Sequence, residues 1–341
     1  MELPVTVGGY TLVALLGKGG TGEAFLARPV DRPTPVVVKV LSPALADDEQ
    51  FVQRFRHEAE VAGHVESPWL ARVFEISEAM DTLFIAMEYV AGFTLAQVLT
   101  RAAAARRPMP LGVAVELARQ ALEGLEALHT ARDEGGRSFG FVHRDVTPKN
   151  LVVGDEGRVR LIDLGLAKSN VRAWQTMPGK VLGSLGYIAP EQLRQGRVDR
   201  RTDVYALGVL MYESLLLKRY IPKGSAIDMV RTTLDRRNVS VSAERPEVPA
   251  ALDALILRAL SIDPEQRPES ARAFARELVR ASDRASPFEV SAFVASLLGA
   301  EREAREASFA ELLGRNVRGH EEPVTRSIYT LELVRDGATN T

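Results

Sequence analysis

His143-Arg144-Asp145-Val146-Thr147-Pro148-Lys149-Asn150, in one-letter form HRDVTPKN, is followed shortly by Asp163-Leu164-Gly165. The first segment sets a carboxylate base at Asp145, a cation at Lys149 and an amide oxygen at Asn150 in one short stretch, and Asp163 adds a second carboxylate. The 341 residues around it suit two lobes of roughly 100–200 residues each. Hydrophobic content of 46% with 26% charged residues is ordinary globular composition, and a net charge of −2 gives no ground for nucleic-acid binding. The absence of cysteine excludes disulfides, Cys-ligated zinc and thiol chemistry, and the five histidines are scattered. No apolar run approaches the ~18 residues that a bilayer span needs. The opening MELPVTVGGY lacks the basic and apolar regions of a signal peptide, so a cytoplasmic protein is expected.

Upstream, Gly17-Lys18-Gly19-Gly20-Thr21-Gly22 fits GxGxxG. Alone this spacing serves Rossmann turns, phosphate-covering loops and plain hairpins alike. Context separates them. A Rossmann loop opens a helix, whereas Glu23-Ala24-Phe25-Leu26-Ala27 alternates like a strand. A Rossmann unit wants an acidic residue about 20 positions on, whereas this chain presents Val-Val-Val-Lys at 36–39; a Walker A loop ends in GK[ST], whereas this one ends in Gly-Glu. Lys39 stands in an apolar strand, where an unpaired ammonium is costly. Its expected partner is Glu58 of RFRHEAEV, which belongs beside the apolar stripe of Phe51, Phe55 and Ala62, whereas Glu60 does not. Phosphoryl transfer on a metal-bound nucleotide needs these group types in one place.

Taken together, these motifs resemble the bacterial eukaryotic-like (Hanks-type) serine/threonine protein kinases over about residues 8–283. The resemblance implies an α+β, bilobal protein-kinase fold, with a β-rich N-lobe over 8–90 and a mainly helical C-lobe over 91–283. ATP with Mg²⁺, or Mn²⁺ in its place, would lie in the cleft between them. Asp145 would accept or orient the proton of the substrate hydroxyl, Lys149 would stabilise the transferring γ-phosphate, and Asn150 and Asp163 would hold the metal. Lys39, paired with Glu58, would position the α- and β-phosphates beneath Gly17, Gly19 and Gly22. Ala24 and Val37 would roof the adenine and Val152 floor it. Met87 would guard the back of the pocket, and Glu88, Tyr89 and Val90 would form the hinge. The family usually has Val at position 24 and Ala at position 37; here the sizes are exchanged with the summed volume kept. Leu164 stands where Phe is more common.

The activation segment would run from 163 to 191, ending in Ala189-Pro190-Glu191. Glu191 is expected to pair with Arg267, and Asp203 to brace the catalytic loop. Ser184 matches the small hydroxyl that favours Ser/Thr substrates. Arg144 implies control by phosphorylation, with Lys168 and Arg54 helping it to clamp a phosphate. Lys180 fills the commonest phosphosite position, which leaves Thr176 as the expected autophosphorylation site and Ser169 as a second candidate. The implied partners are ATP and proteins with Ser or Thr hydroxyls, and the resemblance allows a homodimer. A pseudokinase-type ATP-binding signalling scaffold is the alternative, motivated by Leu164 and Lys180, although such scaffolds usually lack Lys39, Asp145 or Asp163. A small-molecule kinase resembling the aminoglycoside phosphotransferases would usually lack Ala-Pro-Glu.

Strands are predicted at 10–16, 23–28, 36–41, 70–75 and 83–89, with a helix over 48–65. Further helices are predicted at 112–130, 199–217, 226–234, 249–261 and 268–281, with surface insertions at 100–110 and 131–140. Residues 284–341 read as a C-terminal helical extension and polar tail. Phe288, Phe293, Val294, Leu297 and Leu298 would form an apolar face over 288–313, and the last residues, about 20 of them, would be loose.

Overall fold

Runs of β-branched residues bounded by glycine and proline put the first part of the chain into strands. The computed structural model describes residues 3–19, 22–42, 61–79, 82–163, 182–235, 239–314 and 325–330, together with Glu49, Val52 and Gln53. The chain divides into two compact units, one of residues 1–63, 72–89 and 311–341, the other of residues 64–71 and 90–310.

The first unit is an antiparallel sheet. Its strands are β1 (Val5–Val7), β2 (Tyr10–Lys18), β3 (Gly22–Pro29), β4 (Val36–Leu41), β5 (Val73–Ala79), β6 (Thr82–Glu88) and, from the far end of the chain, the strand Thr325–Thr330. The order is β1-β2-β3-β4-β6-β5 followed by that last strand, which pairs antiparallel with β5. Alternation along β4 decides which face is core. Val36, Val38 and Val40 are buried with Phe25, Ala27, Phe84 and Ala86 in one cluster, and Tyr10 closes it edge-on against Phe84 at 5.8 Å. The Tyr10 hydroxyl donates to Glu75 Oε2 at 2.8 Å; burial first, then this carboxylate, pushes its pKa up. Residues 61–64 are helical; most of the helix expected over 48–65 lies outside the described residues.

The second unit is mainly helical. A small sheet of β7 (Gly92–Thr94), β8 (Leu151–Gly154) and β9 (Val159–Leu161) sits among α1 (Leu95–Ala104), α2 (Leu111–His129), α3 (Arg201–Leu216), α4 (Ala226–Asp235), α5 (Ala250–Ala259), α6 (Ala271–Ala281) and α7 (Pro287–Gly314). α2 and α3 are buried around nearly their whole circumference, with α6 laid along α2 and α5 along α3. α1 starts with a capping box between Thr94 and Gln97, which satisfies otherwise orphaned backbone donors.

Four expectations need correction. β5 spans Val73–Ala79 rather than 70–75, because Leu70 and Ala71 bond instead to Leu161 in the second unit. The Ala-rich stretch from Thr100 is helix as far as Ala104, as the helix propensity of alanine dictates, and turns only at Arg106 (φ 49°). Phe288 is 80% exposed, while Val290, Phe293, Val294 and Leu298 form the buried side of α7. The C-terminal residues 325–330 are a strand paired with β5, contrary to the expectation of a loose end; backbone pairing along an open edge provides order that polar composition does not advertise. The 131–140 insertion closes as a tight turn, with Asp133 accepting from the Arg137 N–H at 2.8 Å and Arg132 donating to the Gly136 carbonyl.

Candidate active site

In the first unit, strand register assembles the predicted nucleotide-contacting positions. Gly17 lies opposite Ala24, Ala24 opposite Lys39, and Val37 opposite Met87. Directly opposed residues share a face, so Ala24, Val37, Lys39 and Met87 stand together on the side away from the Phe25–Val38 core. Glu88 pairs with Val36, and its carboxylate accepts from the Arg72 N–H at 3.2 Å. Only glycine fits at position 22. With φ at +152°, a Cβ there would lie 2.0 Å from the Val40 carbonyl oxygen. The Gly19 N–H donates to the Gly22 carbonyl at 2.8 Å and Lys18 pairs with Glu23 at 2.7 Å, so the loop narrows at its base.

In the second unit, the segment from His143 to Asn150 is irregular backbone held by side chains. Asp203, in the first turn of α3, is fully buried and does most of this. Its Oδ2 accepts from the His143 N–H and its Oδ1 from the Arg144 N–H, each at 2.8 Å, and His129 Nε2 bonds to Oδ2 at 2.7 Å. Burial by itself would raise the Asp203 carboxyl. The His129 bond, the attraction of His129 and His143 and the backbone N–H together outweigh burial and hold it below the usual carboxylate range. Arg144 is thereby kept in the left-handed region at φ 62°, which costs a non-glycine residue of order 1–3 kcal/mol.

Asn150 is clasped to the same loop. Its Nδ2 donates to the Asp145 carbonyl at 2.8 Å and to Asp145 Oδ2 at 2.9 Å, which leaves the amide oxygen as the end a cation can take. The Ile162 N–H donates to the Asn150 carbonyl, tying the loop to the residue before Asp163. Asp145 is buried and Lys149 exposed. Val152, on β8, pairs with Arg160 and with Thr94 of β7, two residues after Gly92, and Val90 stands just ahead of that strand. Glu58, Arg54, Leu164, Lys168, Ser169, Thr176 and Lys180 lie outside the described residues.

Farther along, Arg267 makes a two-pronged bond to Glu191, 2.8 Å on each side, and Thr202 Oγ1 donates to the same carboxylate at 2.7 Å. Sequence reasoning missed two clusters. Tyr187 donates to the buried Glu213 at 2.6 Å while Arg219 donates to Tyr187, and burial pushes both the Tyr187 and Glu213 pKa values up. Asp155, at the β8–β9 turn, bonds to Arg305 of α7 at 2.8 Å.

The donor set suits a hard cation. An amide oxygen and a carboxylate are oxygen ligands of the kind Mg²⁺ takes alongside substrate phosphates. Among the described residues no cluster of three or more His, Cys, Asp or Glu could cage a metal by itself, and no helix is long and apolar enough to cross a membrane.

A family model described as the protein kinase domain matches residues 10–279. The tyrosine-protein kinase MasK of Myxococcus xanthus (strain DK1622) is 35% identical over 274 residues, covering 80% of this chain and 42% of that one. The serine/threonine-protein kinase pkn3 of Myxococcus xanthus is 36% identical over 280 residues, covering 79% of this chain and 49% of that one. This chain thus spans less than half the length of either relative. The crystal structure of the Mycobacterium tuberculosis PknI kinase domain superposes with a TM-score of 0.65 at 29% identity, covering 83% of this chain and 99% of that one. The α+β architecture, a β-sheet unit followed by a mainly helical one, is the protein-kinase fold.

Proposed function

The chain belongs to the protein kinase family, and from that premise we propose that it transfers the γ-phosphate of ATP to Ser or Thr hydroxyls of protein substrates. The observation that carries this reading is the clasp of Asn150 on Asp145, within a loop whose strained Arg144 is pinned by Asp203. Such a clasp fixes a carboxylate where a substrate hydroxyl proton can be accepted and presents an amide oxygen beside it. The family uses ATP and a divalent metal; we assign Mg²⁺, with Mn²⁺ as a substitute, to Asn150 and Asp163. The metal, when bound, supplies positive charge to the phosphate oxygens.

The rest of the work falls to the chain's own side chains. Asp145 takes or orients the proton of the attacking hydroxyl. Lys149 lies exposed on the same loop and meets charge developing on the transferred group. Lys39 holds the α- and β-phosphates under Gly17, Gly19 and Gly22, with Glu58 as its partner. Ala24, Val37, Met87, Glu88, Val90 and Val152 receive the adenine. Arg144, Lys168 and Thr176 form the regulatory set, with autophosphorylation at Thr176. Residues 8–283 are the catalytic domain in this reading, residues 284–341 an extension, and the location cytoplasmic.

Ser/Thr preference is supported by Lys149 and Ser184, while MasK is named for tyrosine. One experiment separates the two: incubate the full chain with radiolabelled ATP and Mg²⁺, alongside Asp145→Asn, and identify the labelled residue types. Label on Ser or Thr that falls about 100-fold or more in the variant is expected. Label on tyrosine alone would overturn the Ser/Thr assignment, and ATP binding without any transfer would favour a scaffold.

A further inference from the structure

The C-terminal helix α7 is built onto the small sheet of the second unit. It begins at Pro287, whose carbonyl oxygen lies 1.9 Å from where a Cβ on Gly157 would stand, so the β8–β9 turn can carry only glycine there (φ 80°). Ser291 Oγ donates to the Asp155 carbonyl at 2.6 Å. α7 kinks at Leu298 (φ −134°, ψ 16°), just before Gly299, and its second half carries Arg302 and Arg305. Arg302 Nε lies 3.7 Å from Asp155 Oδ2.

Arg305 reaches furthest. Its Nη2 donates to Asp155 Oδ2 at 2.8 Å, its Nη1 donates to the Gly92 carbonyl, and its guanidinium lies 4.6 Å over the Phe93 ring. The Asp155 N–H meanwhile donates to the Ala91 carbonyl at 2.9 Å. Ala91, Gly92 and Phe93 are thus held by one Arg–Asp pair, a backbone bond and a stacked cation. Val90 immediately precedes them, and Val152 pairs with Thr94 just after them. These are the two positions of this unit assigned to the adenine. The side chains of Arg305 and Asp155 are only 14% and 15% exposed, so solvent screens the pair little.

We propose that Arg305 is a positioning residue for the nucleotide. Through Gly92, Phe93 and Asp155 it sets the backbone around Val90 and the height of Val152, so the extension contributes to ATP affinity without touching ATP. The inference rests on the kinase reading above. A planar, forked cation suits the task, because it meets a carboxylate, a carbonyl and a ring at once; a lysine can satisfy one of these.

The test uses the full chain and four variants: Arg305→Met, Arg305→Lys, Asp155→Asn and, as a control on the docking of α7 elsewhere, Ser296→Ala, which loses the bond from Arg107 and the hydroxyl's own bond to the Phe293 carbonyl. The dissociation constant of Mg·ADP is measured by calorimetry, with unfolding midpoints and steady-state constants for ATP. Arg305→Met is expected to raise the ADP constant and the KM for ATP about tenfold, as displacement of a binding group does, with kcat within about twofold. Arg305→Lys should fall between it and the natural chain, and Ser296→Ala should match the natural chain. If Arg305→Met does not fold, Asp155→Asn probes the same latch from the strand side and should weaken ADP in the same direction. ADP constants within about twofold across both latch positions, or an equal loss in Ser296→Ala, would overturn the proposal. A natural chain that binds ADP but transfers no phosphate overturns the kinase reading alone, since the ADP constants still decide the role of Arg305; a chain that binds no nucleotide overturns both.

Discussion

The sheet of the first unit and the loop from His143 to Asn150 of the second place the residues proposed for chemistry by opposite means. In the sheet, Ala24, Val37, Lys39 and Met87 share a face because antiparallel register leaves no choice; β4 is paired on both sides, and the stabilising apolar cluster lies on the other face. In the loop from His143 to Asn150, register is absent. Position there depends on single atoms: two oxygens of Asp203, one amide nitrogen of Asn150 and one ring nitrogen of His129. A sheet therefore spreads its positional information over many weak contacts, whereas the loop concentrates it in a few strong ones. Damage to the sheet should be graded, and damage to the loop and its supports abrupt.

The largest effect should come where a buried charge loses its partner. Arg267→Ala would leave Glu191 buried with only Thr202, and a loss of about 3–5 kcal/mol is expected in denaturant unfolding. Next, Asp203→Asn should cost about 1.5–3 kcal/mol. More tellingly, it should release the His143 and Arg144 amides to hydrogen exchange while those of β4 stay protected. Val38→Ala, in the sheet core, should cost about 2 kcal/mol with the KM for ATP nearly unchanged, since register survives the cavity. Kinetics that collapse in Val38→Ala but survive Asp203→Asn would break the contrast.

The smallest effect is a matter of pH. The folded pKa of Asp203 lies below its unfolded value of about 3.9, so its contribution is complete above that pH and fades as pH falls through the folded value. As pH falls below that unfolded value the natural chain should lose stability faster than Asp203→Asn. Parallel acid titrations of the two proteins would remove Asp203 from the account.

What could be read in advance divides along the same line. Strands β2 to β4, the buried helices α2 and α3 and the loop HRDVTPKN carry local signals: alternation, helical periodicity, and group types at fixed spacing. Asp203 beneath the loop and Arg267 on Glu191 were expected partners, and the structure shows both contacts. The clusters that escaped notice join residues far apart in the chain, Tyr187 with Glu213 and Asp155 with Arg305, and nothing local marks such pairs. His129 bonds to Asp203 from 74 residues away, and its place at the end of an apolar helix carries no local mark of that bond. The strand at 325–330 did leave a trace, the β-favouring run Ile328-Tyr329-Thr330, which its polar surroundings concealed.

That strand carries a consequence for handling the protein. In the register Thr325 to Ala79 through Thr330 to Glu75, the chain's own C-terminal segment occupies the outer ladder of β5. A chain cut after Gly314 would keep every residue assigned to chemistry, yet would bare that ladder as an open edge able to recruit strands from other molecules. Residues 325–330 thus cover a border of the sheet that would otherwise be open to strand addition.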